Sequence, residues 1–158
     1  MELYFMQHGQ AVSEQEDPAR PLSREGVTQI QASANAIARL GISFDVIVCS
    51  PKRRSHQSAA LVAEAIRYPY SDILESEAVL PKAEPEELMH KLAQLIGDKI
   101  LVVGHLPNLS RLVSHLLDNE NEQVRFENGG LVCVEKSVDH NLLTTVMTAE
   151  QMGLIGRG

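Results

Sequence analysis

The stretch that decides the fold lies at the N-terminus, where the apolar run Leu3-Tyr4-Phe5-Met6 stops abruptly at Gln7-His8-Gly9. A continuous apolar run of this length is typical of a strand buried on both faces, as in a parallel sheet. Two later stretches have the same form, Val46-Ile47-Val48-Cys49 before Ser50-Pro51 and Ile100-Leu101-Val102-Val103 before Gly104-His105. The sequence therefore predicts three buried strands, each followed by residues that can carry chemistry.

Helical patterns separate the predicted strands. The first begins after Ser23, a suitable N-cap, and ends at Gly41. Three more helices are predicted: one at residues 54–66, one from Pro85 through Leu95 and Ile96 to Gly97, and one from about Pro107. Two C-terminal strands are predicted at residues 130–134 and 142–147. This alternation predicts an α/β fold: a three-layer α/β/α sandwich with a mainly parallel central sheet and an antiparallel edge. No repeat or linker interrupts it, so residues 1–158 are expected to form a single domain.

Composition narrows the class of partner. The formal net charge of −7 argues against nucleic acid and anionic membranes, because both attract an excess of Lys and Arg. No segment reaches the roughly 18 apolar residues of a membrane span, and the N-terminus has no signal-peptide pattern. A cytoplasmic location is therefore predicted. Cys49 and Cys133 lie inside apolar runs without a metal-ligand spacing, so buried thiols are expected and no metal site is predicted.

Two histidines and an arginine follow the predicted strands. In open α/β sheets, ligands bind beyond the carboxyl ends of the strands, which places His8, Arg54 and His105 at one edge. A guanidinium can hold two phosphate oxygens, although Lys52 and Arg53 are alternatives for that role. The amides that open the helix after His105 favour an anion. The sequence predicts a phosphate pocket.

Four motifs in this order resemble the histidine phosphatase superfamily, and within it the compact SixA-type phosphohistidine phosphatases. They are Gln7-His8-Gly9, Arg20-Pro21-Leu22-Ser23-x-x-Gly26, Ser50-Pro51-x-x-Arg54-x-x-Gln57-Ser58 and Gly104-His105-Leu106-Pro107-Asn108. The resemblance implies a phosphoglycerate mutase-like fold, in which His8 accepts the phosphoryl group before water removes it. It also implies that Arg54 and His105 bind the phosphate and that no metal or other cofactor takes part.

The resemblance also suggests partners and a wider set of phosphate contacts. The expected substrate is a phosphorylated protein, either a phosphohistidine carrier or a histidine kinase domain, and a small phosphorylated metabolite is the alternative. The residues expected to surround the phosphate are Gln7, Gly9, Arg54, His105, Leu106 and Asn108.

One residue departs from the family pattern. The first motif normally reads Arg-His-Gly, and Gln7 stands at the arginine position. A charge-assisted contact is worth about 1.5–3 kcal/mol, so losing one made only in the transition state slows the reaction about ten- to a hundredfold. Lys52, Arg53 or Arg20 are candidates to supply the missing charge. Gln7 therefore keeps open a second reading, a weakly active or non-catalytic phosphate-binding protein.

The general acid is not fixed by the sequence. Larger members of the superfamily place a carboxylate over the leaving group. The candidates here are Glu84, Glu86 and the acidic loop with Glu14, Glu16 and Asp17. A phosphoramidate such as phosphohistidine has a leaving nitrogen that can arrive already protonated. This logic favours an N-phosphoryl substrate over an alkyl phosphate.

Overall fold

A computed structural model describes residues 1–119 and 124–158. Its core is one six-stranded sheet with the strand order β3-β2-β4-β1-β5-β6. The first four strands in this order are mutually parallel, and β5 pairs antiparallel with both β1 and β6. The strands are β1 (Glu2–Gln7), β2 (Val46–Cys49), β3 (Leu74–Glu75), β4 (Lys99–Gly104), β5 (Leu131–Lys136) and β6 (Asn141–Met147).

Five α-helices cover the two faces of this sheet. The helices α1, α2 and α5 pack together on one face, and α3 and α4 pack together on the other. They are α1 (Arg24–Arg39), α2 (Arg53–Ile66), α3 (Pro85–Ala93), α4 (Asn108–Leu116) and α5 (Ala149–Arg157). The predicted three-layer α/β/α architecture with a mainly parallel sheet is confirmed.

The apolar runs form strands because both of their faces are covered. In β1, Tyr4 and Met6 pack under the α1 layer, while Leu3 and Phe5 pack under the α3 layer. Side chains alternate between the two faces of a strand, so a strand with helices on both sides must be apolar throughout. The predicted strands at the N-terminus, at residues 46–49 and at residues 100–103 are all observed.

Helix α1 follows its predicted capping pattern. The Ser23 side chain accepts a hydrogen bond from Gly26 N, and Gly41 after the helix has a φ of 69°. Close packing also restricts this helix, because a Cβ at Gly26 would lie 2.0 Å from the carbonyl oxygen of Gln10. The start of α1 therefore lies directly against the loop that follows β1.

Three predictions of secondary structure need correction. Helix α3 ends at Ala93, so Leu95 and Ile96 lie outside it, and Ile96 is 94% exposed. The chain leaves the helix early because the Asp45 carboxylate accepts hydrogen bonds from the amides of Asp98 and Lys99, which anchors the start of β4. The second and third corrections concern elements that the sequence analysis did not predict, the two-residue strand β3 and the helix α5.

The C-terminal hairpin is antiparallel as predicted, but β5 extends beyond the expected end to Lys136 and β6 begins at Asn141. Within the described residues, no helix is both long and apolar enough to cross a membrane.

Candidate active site

The carboxyl ends of β1, β2 and β4 meet because these strands are neighbours in the sheet. The amide of His8 donates to the Gly104 carbonyl (3.0 Å), and the amide of Ser50 donates to the Val103 carbonyl (3.3 Å). These bonds extend the sheet pairing into the loops that follow the strands. Residues separated by almost a hundred positions in the chain are therefore held at one edge.

The imidazole of His8 is oriented by two hydrogen bonds. Its Nδ1 lies 2.6 Å from the carbonyl oxygen of Gly9, which can only accept, so Nδ1 carries the proton. Its Nε2 then has a free lone pair and accepts a hydrogen bond from Arg54 Nε at 3.3 Å. The ring is a neutral imidazole with Nε2 available, which is the form that a nitrogen nucleophile requires.

His105 lies beside His8, with the two ring centroids 4.9 Å apart. Its side chain is 2% exposed, and its Nε2 lies 2.6 Å from Ser50 Oγ, which also accepts the amide hydrogen of Lys52 at 3.2 Å. The Nδ1 atom of His105 is buried without a hydrogen-bond partner among the described residues. The structure therefore brings the predicted trio of His8, Arg54 and His105 together at one edge of the sheet. We call it the histidine pocket.

Arg54 reaches the pocket from the first turn of α2. Ser58, one turn later, donates to the Arg54 carbonyl (2.7 Å) and accepts from the Gly9 amide (3.0 Å). This bridge ties the helix start to the loop that carries His8. Lys52 and Arg53, the alternatives to Arg54, are both exposed, and Arg54 is the residue bonded to His8.

Burial and positive charge keep both imidazoles neutral. Burial is the main cause that lowers the pKa of His8 to about 4, with Arg54 and Arg20 adding to it and the Gly9 carbonyl opposing it. Burial also lowers the pKa of His105 to about 3, followed by the charges of His8, Arg54, Lys52 and Arg20. Burial and Arg20 likewise lower the pKa of Arg54. Burial, the larger cause, disfavours charge of either sign, whereas the nearby arginines disfavour a proton and attract an anion.

Gln7 and Gly9 flank His8 in the chain. Gln7 is half-buried, and its carbonyl accepts from the Gly129 amide at 3.0 Å. Gly9 allows the loop after β1 to pack closely against α1, because a Cβ at this position would lie 2.7 Å from Ile30 Cγ1 and 2.9 Å from the Gly26 carbonyl oxygen. Arg20 lies on the exposed loop before α1, and its charge lowers the pKa of all three side chains of the histidine pocket. Its electrostatic effect therefore resembles that of an arginine at position 7.

The loop after His105 has two expected phosphate contacts. Leu106 is 38% exposed, whereas the Asn108 side chain is fully buried and donates to the Ala83 carbonyl at 2.9 Å. The Asn108 side chain therefore ties the start of α4 to the segment before α3.

Glu84 and Glu86, the candidate acids, are exposed and lie in a neighbouring cavity. That cavity has Pro107 and Arg111 in its walls, and none of the three histidine-pocket side chains lines it. Glu84 Oε1 is 3.9 Å from Arg111 Nη1. Glu84, Glu86 and Arg111 therefore line the same cavity.

The remaining titratable candidates lie outside the histidine pocket. His90, His115 and His140 are exposed, and His56 faces Glu75 at 3.6 Å and the ring of Tyr70. Cys49 and Cys133 are buried free thiols, as predicted. Within residues 1–119 and 124–158, no three His, Cys, Asp or Glu side chains are placed to hold a metal ion.

Asn128 is a site neighbour that the sequence did not indicate. Its Nδ2 donates to the His8 carbonyl at 2.7 Å, across 120 positions of the chain. This bond holds the backbone at His8, and the bond from the Gly9 amide to Ser58 holds the next residue. No motif or spacing marks Asn128, because the contact arises only when β5 returns beside β1.

Comparisons with known proteins define the class. Residues 3–75 match the model of the histidine phosphatase superfamily (branch 1). An uncharacterized protein of Picosynechococcus sp. (strain PCC 7002) is 32% identical over 115 residues, which cover 69% of this chain and 68% of that protein. The chain belongs to the histidine phosphatase superfamily, and this membership supports phosphatase activity.

Solved structures show the same fold at low sequence identity. The protein histidine phosphatase SixA complexed with tungstate superposes with a TM-score of 0.84 at 22% identity, covering 94% of this chain and 97% of that chain. The alpha-ribazole phosphatase from Shigella flexneri superposes with a TM-score of 0.75 at 16% identity, with the same two coverages of 94% and 97%.

Proposed function

We propose that this chain is a metal-independent phosphohistidine phosphatase that forms a phosphorylated His8 and then hydrolyses it. In this proposal Arg54 and His105 bind the phosphoryl group, with Gln7, Gly9 and the loop at Leu106 and Asn108 around it. A cytoplasmic location and a phosphorylated protein as the partner are parts of the same proposal.

The observation that carries the proposal is the state of the His8 ring. The Gly9 carbonyl holds the proton on Nδ1, and a pKa of about 4 keeps the ring neutral near pH 7. Among the residues that the structure describes, Arg54 is the hydrogen-bond partner of the lone pair on Nε2, at 3.3 Å. Phosphate oxygens compete for that guanidinium, so substrate binding draws Arg54 to the phosphate and leaves Nε2 free to attack.

The reaction then proceeds in two displacements. His8 Nε2 forms a bond to phosphorus as the P–N bond of the substrate breaks, and the leaving nitrogen keeps the electron pair. Water next attacks the phosphorus, the Nε2–P bond breaks, and inorganic phosphate leaves with the neutral imidazole restored. Arg54 and His105 stabilise the charge on the equatorial oxygens in both steps.

The leaving group explains why an N-phosphoryl substrate is favoured. A phosphohistidine ring takes up a proton from water on its other nitrogen, so no acid over the breaking bond is required. Glu84 and Glu86 lie in the neighbouring cavity beside Arg111 rather than in the histidine pocket. An alkyl phosphate needs a proton delivered to its leaving oxygen, and the pocket side chains include no carboxylic acid for that task.

Two alternatives rest on specific observations. The fold is shared with an alpha-ribazole phosphatase, which favours a small phosphorylated metabolite as the second candidate. Gln7 in place of the family arginine favours a phosphate-binding protein with little or no turnover.

The deciding experiment measures phosphate release with a chelator present throughout. The substrates are a phosphohistidine-bearing protein and an aryl phosphate, and the proteins are the wild type and His8→Ala. We expect the wild type to release phosphate, faster from phosphohistidine, and His8→Ala to release none. A His8→Ala protein that stays folded and active rules out His8 as the nucleophile.

A second variant tests the consequence of Gln7. Gln7→Arg restores a charge-assisted contact and is expected to raise kcat about ten- to a hundredfold, if that contact forms only in the transition state. Gln10→Arg, at an exposed position in the same loop, adds the same charge and is expected to leave kcat unchanged. Turnover that appears only in Gln7→Arg identifies the wild type as a binding protein.

A further inference from the structure

An apolar groove runs along the outer face of α2. Its volume is about 570 Å3, within the range of about 300–1,000 Å3 that ligand sites occupy. Gln57, Ala60, Leu61 and Glu64 line it from α2. Residues at this spacing share one helix face, so the groove follows the helix axis. We call it the α2 groove.

Two aromatic rings and a leucine form the walls of the α2 groove. Leu22 lies on the α1 side, and Tyr68 and Tyr70 lie on the other side. Tyr68 is fixed, because its hydroxyl donates to the Asp72 carbonyl at 3.2 Å and accepts from the Ile47 amide at 3.4 Å. Tyr70 is 63% exposed and stands against His56. Aromatic rings in a groove wall offer a large apolar contact area to apolar side chains.

The α2 groove begins beside the histidine pocket. The Leu22 amide donates to Gln57 Oε1 at 2.8 Å, and the Leu22 side chain lies against Gly9. Gln57 follows Arg54 by three residues, about 4.5 Å along the helix axis. A substrate whose phosphate meets Arg54 therefore places its neighbouring groups at the open end of the groove.

The two ends of the α2 groove carry opposite charges. Arg54 precedes one end, and Glu64 is the only charged residue among those lining the groove in the described chain. The two residues are ten positions apart on α2, a rise of about 15 Å. The complementary ligand has a phosphate at one end, an apolar group in the middle and a cation at the other end.

We propose that the α2 groove binds the segment of a phosphoprotein next to its phosphohistidine, through one apolar side chain and a Lys or Arg beyond it. A span of about 15 Å corresponds to four or five residues of extended chain, at about 3.3 Å per residue. The apolar residue lies against Leu61 and Tyr70, and the basic residue pairs with Glu64. This inference rests on the proposed phosphohistidine substrate and adds the sequence context that the enzyme selects.

The first test fills the groove and compares two substrates. Ala60→Phe places a ring in the groove, and Ala38→Phe, at an exposed position of α1, is the matched control. The substrates are phosphoramidate, which has no apolar group, and a phosphohistidine peptide with a Leu and a Lys downstream. We expect Ala60→Phe to raise KM about tenfold or more for the peptide only, because burial of a leucine contributes about that factor. Equal effects on both substrates, or no effect on the peptide, overturn the proposal.

The second test reverses the charge at the far end. Glu64→Lys is expected to raise KM for the Leu–Lys peptide and to lower it for a matching Leu–Glu peptide. Glu150→Lys, exposed on α5, carries the same change of net charge and is expected to leave the preference unaltered. A preference that does not change in Glu64→Lys contradicts the role given to Glu64.

A binding measurement separates this inference from the proposed function. The Leu–Lys phosphohistidine peptide is labelled with a fluorophore and titrated into two proteins, the His8→Ala variant and the double variant His8→Ala with Ala60→Phe. Its Kd for each protein is measured by fluorescence anisotropy. We expect the added Ala60→Phe change to raise Kd about tenfold. An unchanged Kd overturns the groove proposal whatever the turnover. An increase in Kd with no turnover by the wild type supports the groove and refutes only the phosphatase proposal.

Discussion

At the scale of single residues, His8 determines how the site responds to acid. Its folded pKa of about 4 lies below the ordinary 6.5, chiefly because the ring is buried. The folded protein therefore binds fewer protons than the unfolded chain between these values, and this group lowers stability as the pH falls through that window. The neutral ring, which is the form required of the proposed nucleophile, persists throughout it.

The first prediction concerns the pH profile. We expect kcat/KM for an aryl phosphate, corrected for the ionisation of the substrate, to fall near pH 4 instead of near 6.5. An NMR titration of the His8 ring in the free protein checks the assignment, with His8→Ala identifying its resonance. A midpoint near 6.5 contradicts the burial argument.

The sequence predicted that His8, Arg54 and His105 lie together, but it did not predict the groups that orient them. His8, Arg54 and His105 each follow a buried strand or open a helix, so sheet geometry alone brought them together. The Asn128 contact to the His8 carbonyl has no such signal, because it depends on how β5 pairs with β1. Gln57 stands in one of the four motifs, but its bond to the Leu22 amide, 35 positions away in the chain, could not be derived from the sequence.

At the scale of elements, α5 was within reach of the sequence and was missed. Thr148 and Gln151 form a capping box, in which each side chain accepts from the other residue's backbone amide. A Thr followed three residues later by Gln is a recognised helix start. For α3 the sequence predicted too long a helix. Leu95 and Ile96 continue the apolar spacing, although the chain has already turned towards β4.

The second prediction tests the α5 cap. Thr148→Ala removes one half of the capping box and is expected to lower the free energy of unfolding by about 1 kcal/mol. Thr28→Ala, within α1, is the control and is expected to change it by less than about 0.5 kcal/mol, since a surface threonine in mid-helix has no capping role. Urea denaturation followed by circular dichroism measures both. Equal effects from the two variants would show that the capping box does not stabilise α5.

At the scale of the whole molecule, β4 joins the two hydrophobic clusters. Its residues alternate between them, with Leu101 and Val103 facing the α1 layer and Ile100 and Val102 facing the α3 layer. The same strand ends at Gly104 beside His105, so the most deeply buried part of the sheet also supports the histidine pocket. Substitutions of buried residues in β4 are therefore expected to change both the free energy of unfolding and the geometry of the histidine pocket.

The third prediction measures this central position. Leu101 is fully buried, and Leu101→Ala is expected to lower the free energy of unfolding by about 2–5 kcal/mol through lost contacts and the cavity left behind. Leu154, on α5, is 72% exposed, so Leu154→Ala is expected to change it by less than about 0.5 kcal/mol. Equal effects of the two substitutions in a denaturant titration are inconsistent with the described core.

The contact between Gly26 and the Gln10 carbonyl has a practical consequence for mutagenesis. Any side chain at position 26 must displace the loop after β1, and that loop carries His8. In a saturation library scored by total activity, we expect position 26 to tolerate substitution as poorly as position 8, the proposed nucleophile, although Gly26 has no side chain that could react. Measuring the cellular abundance of each variant beside its turnover separates the two positions, because we expect substitutions at position 26 to reduce the amount of folded protein and substitutions at position 8 to abolish only the proposed turnover.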